Sequence, residues 1–439
     1  MRTNLLRAAF GLLALVSLAA QAAPQIQQWH TPNGVRVLFV ENHDLPMLDV
    51  AVNFAAGSAQ DSPAQAGLAG LTHGLLDHGS EGMDEEQVAR RLADVGAQLS
   101  GSFDQDRAAI NLRTLSGAAE RGVALDVLAR VVQQPQFPDE VLQREKARVI
   151  AALKEAETQP AAIADKAFRR ALYGSHPYGA TAEVATVSAI QRADLEAFYR
   201  DHYVAHGAVV AIMGDVSRAE AERIARDLTG RLPASGRVVP LPAVPHLQAT
   251  SEQRIAHPAK QSHILLGVPG MSRTDPDYFA LYVGNYVLGG GGFVSRLMAE
   301  VRERRGLAYD VHSYFLPMQE AGPFEIGLQT RKDQADEALK LVREVVARFV
   351  AQGPTEQELR AAKQNIIGGF PLRIDSNGKI LGYLSVIGFY DLPLDYLDRF
   401  TGRVEAVTKA QVKAAFQRHV DPAGMAMVMV GAPESGERK

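Results

Sequence analysis

LGGGGFVSRLMAEVRERRGLAYDVHSYF, Leu288 to Phe315, is the stretch of this 439-residue chain on which its reading turns. Four glycines lead into an amphipathic helix. Gly306 breaks that helix, and a strand rich in aromatic residues follows. Arg302 closes the helix and Tyr309 opens the strand, seven residues later. The glycine run is not a phosphate loop. It lacks the Lys-Ser/Thr pair that such a loop needs, and no nucleotide-binding strand pattern precedes it.

Working outward, the chain divides into two mixed halves around a proline-rich joint, residues 232–258, with Pro233, Pro240, Pro242, Pro245 and Pro258. Such a segment is extended and semi-rigid, as a connector should be. The halves read as distant copies. Leu125, Leu128, Val132, Leu142, Val149 and Ile150 mark two successive helices. Adding 217 gives Val342, Val345, Phe349, Leu359, Ile366 and Ile367, all apolar, and Lys146 maps onto Lys363. Both second helices open on a proline and an acidic first turn, Pro138-Asp139-Glu140 and Pro354-Thr355-Glu356, as helix N-termini prefer.

In the first half, Asn33-Gly34 signals a hairpin between strands. Val35 to Glu41, Leu48 to Ala55, Leu99 to Phe103 and Ala108 to Thr114 read as strands, and Ala66 to Leu76 and Glu85 to Ala93 as helices. Val209 to Asp215 is a buried strand, and the pattern restarts near His263 to Val268. The expected class is α+β, two homologous domains, each a mostly antiparallel sheet with helices packed on one face. The predicted segments are a leader, 1–22, a first domain, 23–231, the joint, 232–258, and a second domain, 259–439.

The leader reads as a secretory signal. Arg2 and Arg7 precede an apolar run, Ala8 to Leu18, too short to span a bilayer, and Ala20-Gln21-Ala22 is a cleavage site that leaves Ala23 as the mature start. The expected location is the periplasm or outside the cell, with no membrane attachment after cleavage. The chain has no Cys, so a large core must stabilise it without disulfides. Its formal charge is −4, and removing Arg2 and Arg7 makes it −6. The charges are interspersed, which argues against nucleic acid or anionic lipid as a partner.

The segments NGVRVLFVENHDLPMLDVAVNFAAGSAQDSP, AGLAGLTHGLLDHGS, YGSHPYG, FYRDHYVAHGAVVAIMGDV and SRLMAEVRERRGLAYDVHSYF, in this order and spacing, resemble the insulinase/pitrilysin-type zinc peptidases, a family that includes the mitochondrial processing peptidase. The resemblance covers nearly the whole mature chain. It implies that two such domains form half of a clam-like chamber around an unfolded peptide. Active members carry His-x-x-Glu-His on a first-half helix: imidazoles one helical turn apart grip a zinc ion, and the Glu serves as general base. Aligned through its AGLA start, this chain has Gly70, His73 and Gly74 at those positions. The third ligand, a later Glu, falls on Ala152 or Leu153 in VIAALKEAET, with Glu155 the nearest acid. The resemblance therefore implies no zinc in this chain, nor any other cofactor. His73 and Asp77 share a helix face, but His78 lies about 140° around from His73, so the three do not converge. His176, in a turn, and the isolated His202, His206 and His312 read as structural or surface residues.

Arg302 and Tyr309 match a pair that active members place opposite the zinc. There the pair hydrogen-bonds the substrate backbone and helps stabilise the tetrahedral intermediate, the Tyr as a neutral donor and the Arg as a fixed cation with a fork of donors. Two functions fit. In one, the chain is the metal-free subunit of a heterodimeric peptidase whose homologous partner supplies the zinc, and Arg302 and Tyr309 act in trans on a peptide. In the other, it is a non-catalytic peptide-binding or scaffold protein of the same fold. The retained pair favours the first.

Overall fold

The computed structural model describes residues 25–247 and 250–432. The expected leader, residues 1–22, lies outside the described residues. The first half runs β1 (Gln27–His30), β2 (Arg36–Glu41), β3 (Met47–Phe54), α1 (Leu68–Gly74), a short hairpin of β4 (Gly79–Ser80) and β5 (Met83–Asp84), α2 (Glu85–Asp94), β6 (Gln98–Phe103), β7 (Ala108–Leu115), α3 (Ala118–Gln133), α4 (Asp139–Ala156), α5 (Pro160–Tyr173), α6 (Val184–Ala189), α7 (Arg192–His202), β8 (Val209–Gly214) and α8 (Arg218–Thr229). The second runs β9 (Glu252–Ile255), β10 (Gln261–Met271), α9 (Tyr278–Asn285), β11 (Asp310–Phe315), β12 (Gly322–Arg331), α10 (Ala335–Gln352), α11 (Glu356–Gly369), α12 (Asn377–Phe389), α13 (Tyr396–Ala406), α14 (Lys409–His419) and β13 (Ala426–Val430). β9 lies inside the stretch expected as joint, so the second sheet begins at Glu252.

The two halves share one topology. The first sheet has the order β1-β2-β8-β3-β7-β6 and the second β11-β12-β10-β13-β9. Read from β9, the second repeats the first without β1. Adding 217 to the first residues of α3, α4, α5, α7 and β8 gives those of α10, α11, α12, α14 and β13. Each sheet is antiparallel except for one pair, β2 with β8 and β9 with β13. The expected α+β class, with mostly antiparallel sheets, is what the chain forms.

Each sheet is covered on both faces, and one cover comes from the other half. On the first sheet, Val37, Phe39, Val210 and Ile212 face the half's own helices. Leu38, Val40, Val209 and Met213 face the opposite way, onto Leu384 and Ile387 of α12. Gly388 is the contact point: a Cβ there would lie 2.5 Å from Val209 Cγ1. Reciprocally, Ala164, Phe168 and Leu172 of α5 pack on Ala426, Val428 and Val430 of β13. This exchange explains why VVAIMG of β8 is apolar without alternation. Each fully buried Leu, Ile or Phe here contributes about 1.5–3 kcal/mol.

A buried polar node joins the halves. Asp106, in the turn between β6 and β7, is 4% exposed. It accepts hydrogen bonds from Tyr178 Oη at 2.5 Å, Tyr390 Oη at 2.8 Å and the Gln319 N–H at 2.7 Å. Two of those donors belong to the second half. Burial raises its pKa, against the pull of these donors. The joint is pinned to the first half where Gln60 exchanges two bonds of 3.2 Å with the backbone of Val239 and where His176 Nε2 donates to Pro242 O at 2.9 Å. Among the described residues no helix is long and apolar enough to cross a membrane.

Candidate functional site

The helix that carries Gly70, His73 and Gly74 is short, and a buried carboxylate holds its start. Asp61 accepts the N–H groups of Gly67 at 2.8 Å and Ala69 at 2.7 Å. Burial outweighs those bonds and pushes its pKa up to about 7. Beside α1 lies a cleft of about 480 Å³. Gly70 and Gly74 line it, with Phe103 of β6, Glu145, Arg148 and Val149 of α4, and Arg169 of α5.

Neither glycine is there for want of space. A Cβ on Gly70 would make ordinary contact with Phe103 at 3.7 Å, and one on Gly74 would meet nothing within 4 Å. The backbone would accept a ligand at both positions, and the chain offers none. His73 does not replace one. Its ring stacks on Phe103, centroids 5.6 Å apart, and its Nε2 lies against the Gly101 backbone. Its Nδ1 is buried without a partner among the described residues, and burial lowers its pKa, which favours the neutral ring. His78 turns to Glu85, Nδ1 to Oε1 2.9 Å, away from His73.

On α4, Ala152 is exposed, Leu153 packs partly against the core and Glu155 is exposed. Asp61 and Asp165 line the cleft from other elements, and from α4 the acid that reaches it is Glu145, two turns earlier, which the sequence reading did not single out. Arg148 and Arg144 already satisfy it, donating at 2.7 and 3.2 Å. Helical spacing from Ala152 back through Val149 to Glu145 was the available signal. A zinc ion needs three or four convergent donors. Two hydrogens, a stacked imidazole, the arginine-paired Glu145 and Asp165 carboxylates and an Asp61 already taken by two backbone N–H groups do not fit it. His176 is a turn residue, its Nδ1 accepting the Tyr178 N–H at 3.1 Å. His202 is buried against Phe198, His206 is exposed, and His312 bonds Asp310 at 2.8 Å.

The opposite half holds Arg302 and Tyr309 together. After α9 the chain forms a π-turn, Tyr286–Gly290, and a second one at Met298–Glu303 carries Arg302. Gly289 permits the first to press on β11: a Cβ there would sit 2.6 Å from Ser313 N. Gly292, at φ +60, turns the loop so that Phe293 projects outward. The Arg302 guanidinium lies over two rings, 4.9 Å from the centroid of Phe293 and 5.0 Å from that of Tyr309. Tyr309 is 75% exposed and Phe293 62%. Such contacts hold the cation while leaving its N–H edge free to donate. Phe293 was missed in the sequence because the glycines around it read only as a loop.

Two family models match the chain. The one for insulinase (peptidase family M16) covers residues 36–185, and the one for the peptidase M16 inactive domain covers residues 189–366. The chain belongs to peptidase family M16. A solved M16 inactive domain from Pseudomonas fluorescens is 39% identical, with a TM-score of 0.89, covering 93% of this chain and 98% of that one. A curated relative, the "non-peptidase homolog YmxG" of Helicobacter pylori, is 25% identical over 93% of this chain and 95% of its own. The periplasmic protease PqqL of Escherichia coli shares the fold at 16% identity and a TM-score of 0.79; this chain spans 46% of its length. The glycines of α1 thus stand in an M16 fold, one of whose relatives is named a non-peptidase homologue while others are named uncharacterised zinc proteases.

Proposed function

We propose that this chain is the metal-free subunit of a periplasmic heterodimeric M16 endopeptidase that acts on unfolded peptides. A homologous partner would bring the metal and its water. This chain would bring half of the chamber and two donors. The observation that carries the reading is the pairing of a ligand-free α1 with an Arg302–Tyr309 couple held in place and open to solvent. A helix that has lost its ligands has no use for that couple in its own chain. Presented to a neighbour's substrate, Tyr309 donates as a neutral hydroxyl and Arg302 as a fixed cation, both aimed at charge that grows toward the transition state. Peptide binding is supported by β6, an exposed sheet edge beside the cleft whose backbone can pair with an extended chain. Export is supported by Arg2, Arg7, the Ala8 to Leu18 run and the Ala20-Gln21-Ala22 site.

A second reading has its own support. Arg302 lies over the rings of Phe293 and Tyr309, cation–π contacts that packing alone could account for. On that reading the chain binds peptides or partners without taking part in catalysis. The deciding experiment is co-expression with a zinc-binding M16 homologue from the same genome, followed by metal analysis and a peptidase assay on each chain alone and on the mixture. Activity that needs both chains, with zinc only in the partner, supports the subunit. One tightly bound zinc per molecule of this chain, or cleavage by it alone, would overturn it.

A further inference from the structure

The second half has a counterpart of the cleft, and its chemistry differs. A pocket of about 370 Å³ lies among α9, α12 and α13. Adding 217 to Asp61, Asp165 and Arg169 of the first cleft gives Tyr278, Gly382 and Val386, all on the wall of this pocket. Here the acids are gone. The walls are Tyr278, Tyr282, Tyr383, Tyr396 and Phe400, and the charged groups are Arg273, Arg373 and Lys379, with no carboxylate in the lining.

Among the described residues, Lys379 is the one of the three cations with an acidic partner, Asp375 at 2.8 Å. The Arg273 guanidinium carbon is 5.9 Å from the centroid of Tyr278 and 5.4 Å from that of Tyr390, and its Nε is buried with no partner among the described residues. Arg373 is exposed at the mouth, close enough to the Tyr383 hydroxyl to bear on its ionisation. Two guanidinium groups left without counter-charge around an aromatic-walled hole form a receptor for a planar anion, which their forks meet with paired hydrogen bonds. The hole is not isolated. Arg273, Tyr278 and Tyr282 also line a second cavity, of about 590 Å³, that runs past Gly289 and along Ser313 to Pro317 at the free edge formed by β11. An extended chain lying in that trough would end at Arg273.

We infer that this pocket binds a carboxylate of the peptide held in the chamber, a free C-terminus or an acidic side chain, and so makes the chain selective for peptides that carry one near the end. The assignment rests on the peptide-binding reading above and deepens it.

The test is fluorescence anisotropy of the full chain with three short unstructured peptides of common core sequence, each labelled at the N-terminus with a zwitterionic dye. The first is a free acid with no acidic residue. The second is a C-terminal amide with one glutamate next to the end. The third is an amide with neither. A charge-assisted pair predicts binding of the first or second about tenfold tighter than of the third, and which of them it is identifies the source of the carboxylate. Arg373→Gln, at an exposed position that the fold does not need, should shrink the difference, and Arg273→Gln should remove most of it. Arg273→Lys keeps a charge and should retain part, which separates loss of the cation from loss of the fold. Equal binding of all three peptides, or a preference that survives Arg273→Gln with Arg373→Gln, would overturn the assignment and leave peptide binding standing. Binding of none would overturn both.

Discussion

Tyr390→Phe removes one hydroxyl from the node between the halves and leaves the ring that packs beside Phe389 and Arg107. The lost bond runs 2.8 Å to a carboxylate that is 4% exposed. A hydrogen bond to a charged group contributes about 1.5–3 kcal/mol, and one between neutral groups about 1 kcal/mol. The cost should therefore depend on whether Asp106 is ionised. Burial raises its folded pKa above the unfolded value, so the proton-bound form favours folding and the wild type loses stability as pH rises through that pKa. The tyrosine donors pull the pKa down and limit the loss. Without the Tyr390 hydroxyl the decline should steepen. Urea unfolding of wild type and variant across a pH series should thus give a deficit of about 1 kcal/mol where Asp106 is protonated, growing to about 2–3 kcal/mol as rising pH ionises it. A deficit below about 0.5 kcal/mol that stays flat with pH would show that Asp106 does not join the halves through this bond.

Tyr309→Phe should lower turnover of the reconstituted peptidase by about a hundredfold without weakening assembly, since one transition-state donor contributes about 3 kcal/mol; an unchanged rate would favour the non-catalytic reading. Gly74→Ala should stabilise the chain by about 0.5–1 kcal/mol in thermal or urea unfolding, because the site is helical and open; destabilisation would mean that the cleft needs the glycine. Burial opposes ionisation of Glu358, but Arg296, with two bonds of 2.7 Å, and the Thr355 donors outweigh it and hold its pKa down to about 2. Its contribution should be intact above about pH 4.5 and disappear as pH falls toward 2, and Glu358→Gln should flatten that acid limb. Asp61 works in the opposite sense: with its pKa up to about 7, wild type should lose stability between about pH 4 and pH 7 relative to Asp61→Asn, a trend that calorimetry across that range would detect.

Much of the fold was legible in the residues themselves. Asn33-Gly34 places the first hairpin, and β2, β3, α2, β6 and β7 fall within one or two residues of their predicted bounds. Pro138 and Pro354 mark two equivalent helix starts, and the 217-residue spacing of apolar positions announced the duplication that the two sheets share. These are local signals: periodicity, turn chemistry and capping act over one or two turns of chain. The absence of ligands at Gly70 and Gly74 is also local, because glycine has no side chain to bind with in any fold. So is the seven-residue spacing of Arg302 and Tyr309.

What lay beyond the sequence is whatever depends on residues far apart in the chain. The exchange of α5 and α12 between the halves decides why both faces of each sheet are apolar, and no periodicity names the partner of a buried face. Nothing in the sequence singles out Asp106, around which Tyr178, Tyr390 and Gln319 close in the folded chain. Glu145 reaches the cleft while Ala152 and Leu153 do not line it, a matter of how α4 is rotated against α1. Phe293 lies against Arg302, and Arg273 and Arg373 share one pocket, only because π-turns and packed helices bring them together. The sequence by itself determined which groups exist and which elements they ride on. Tertiary structure decided which of them meet, because burial, pairing and charge compensation belong to contacts between distant segments rather than to any segment alone.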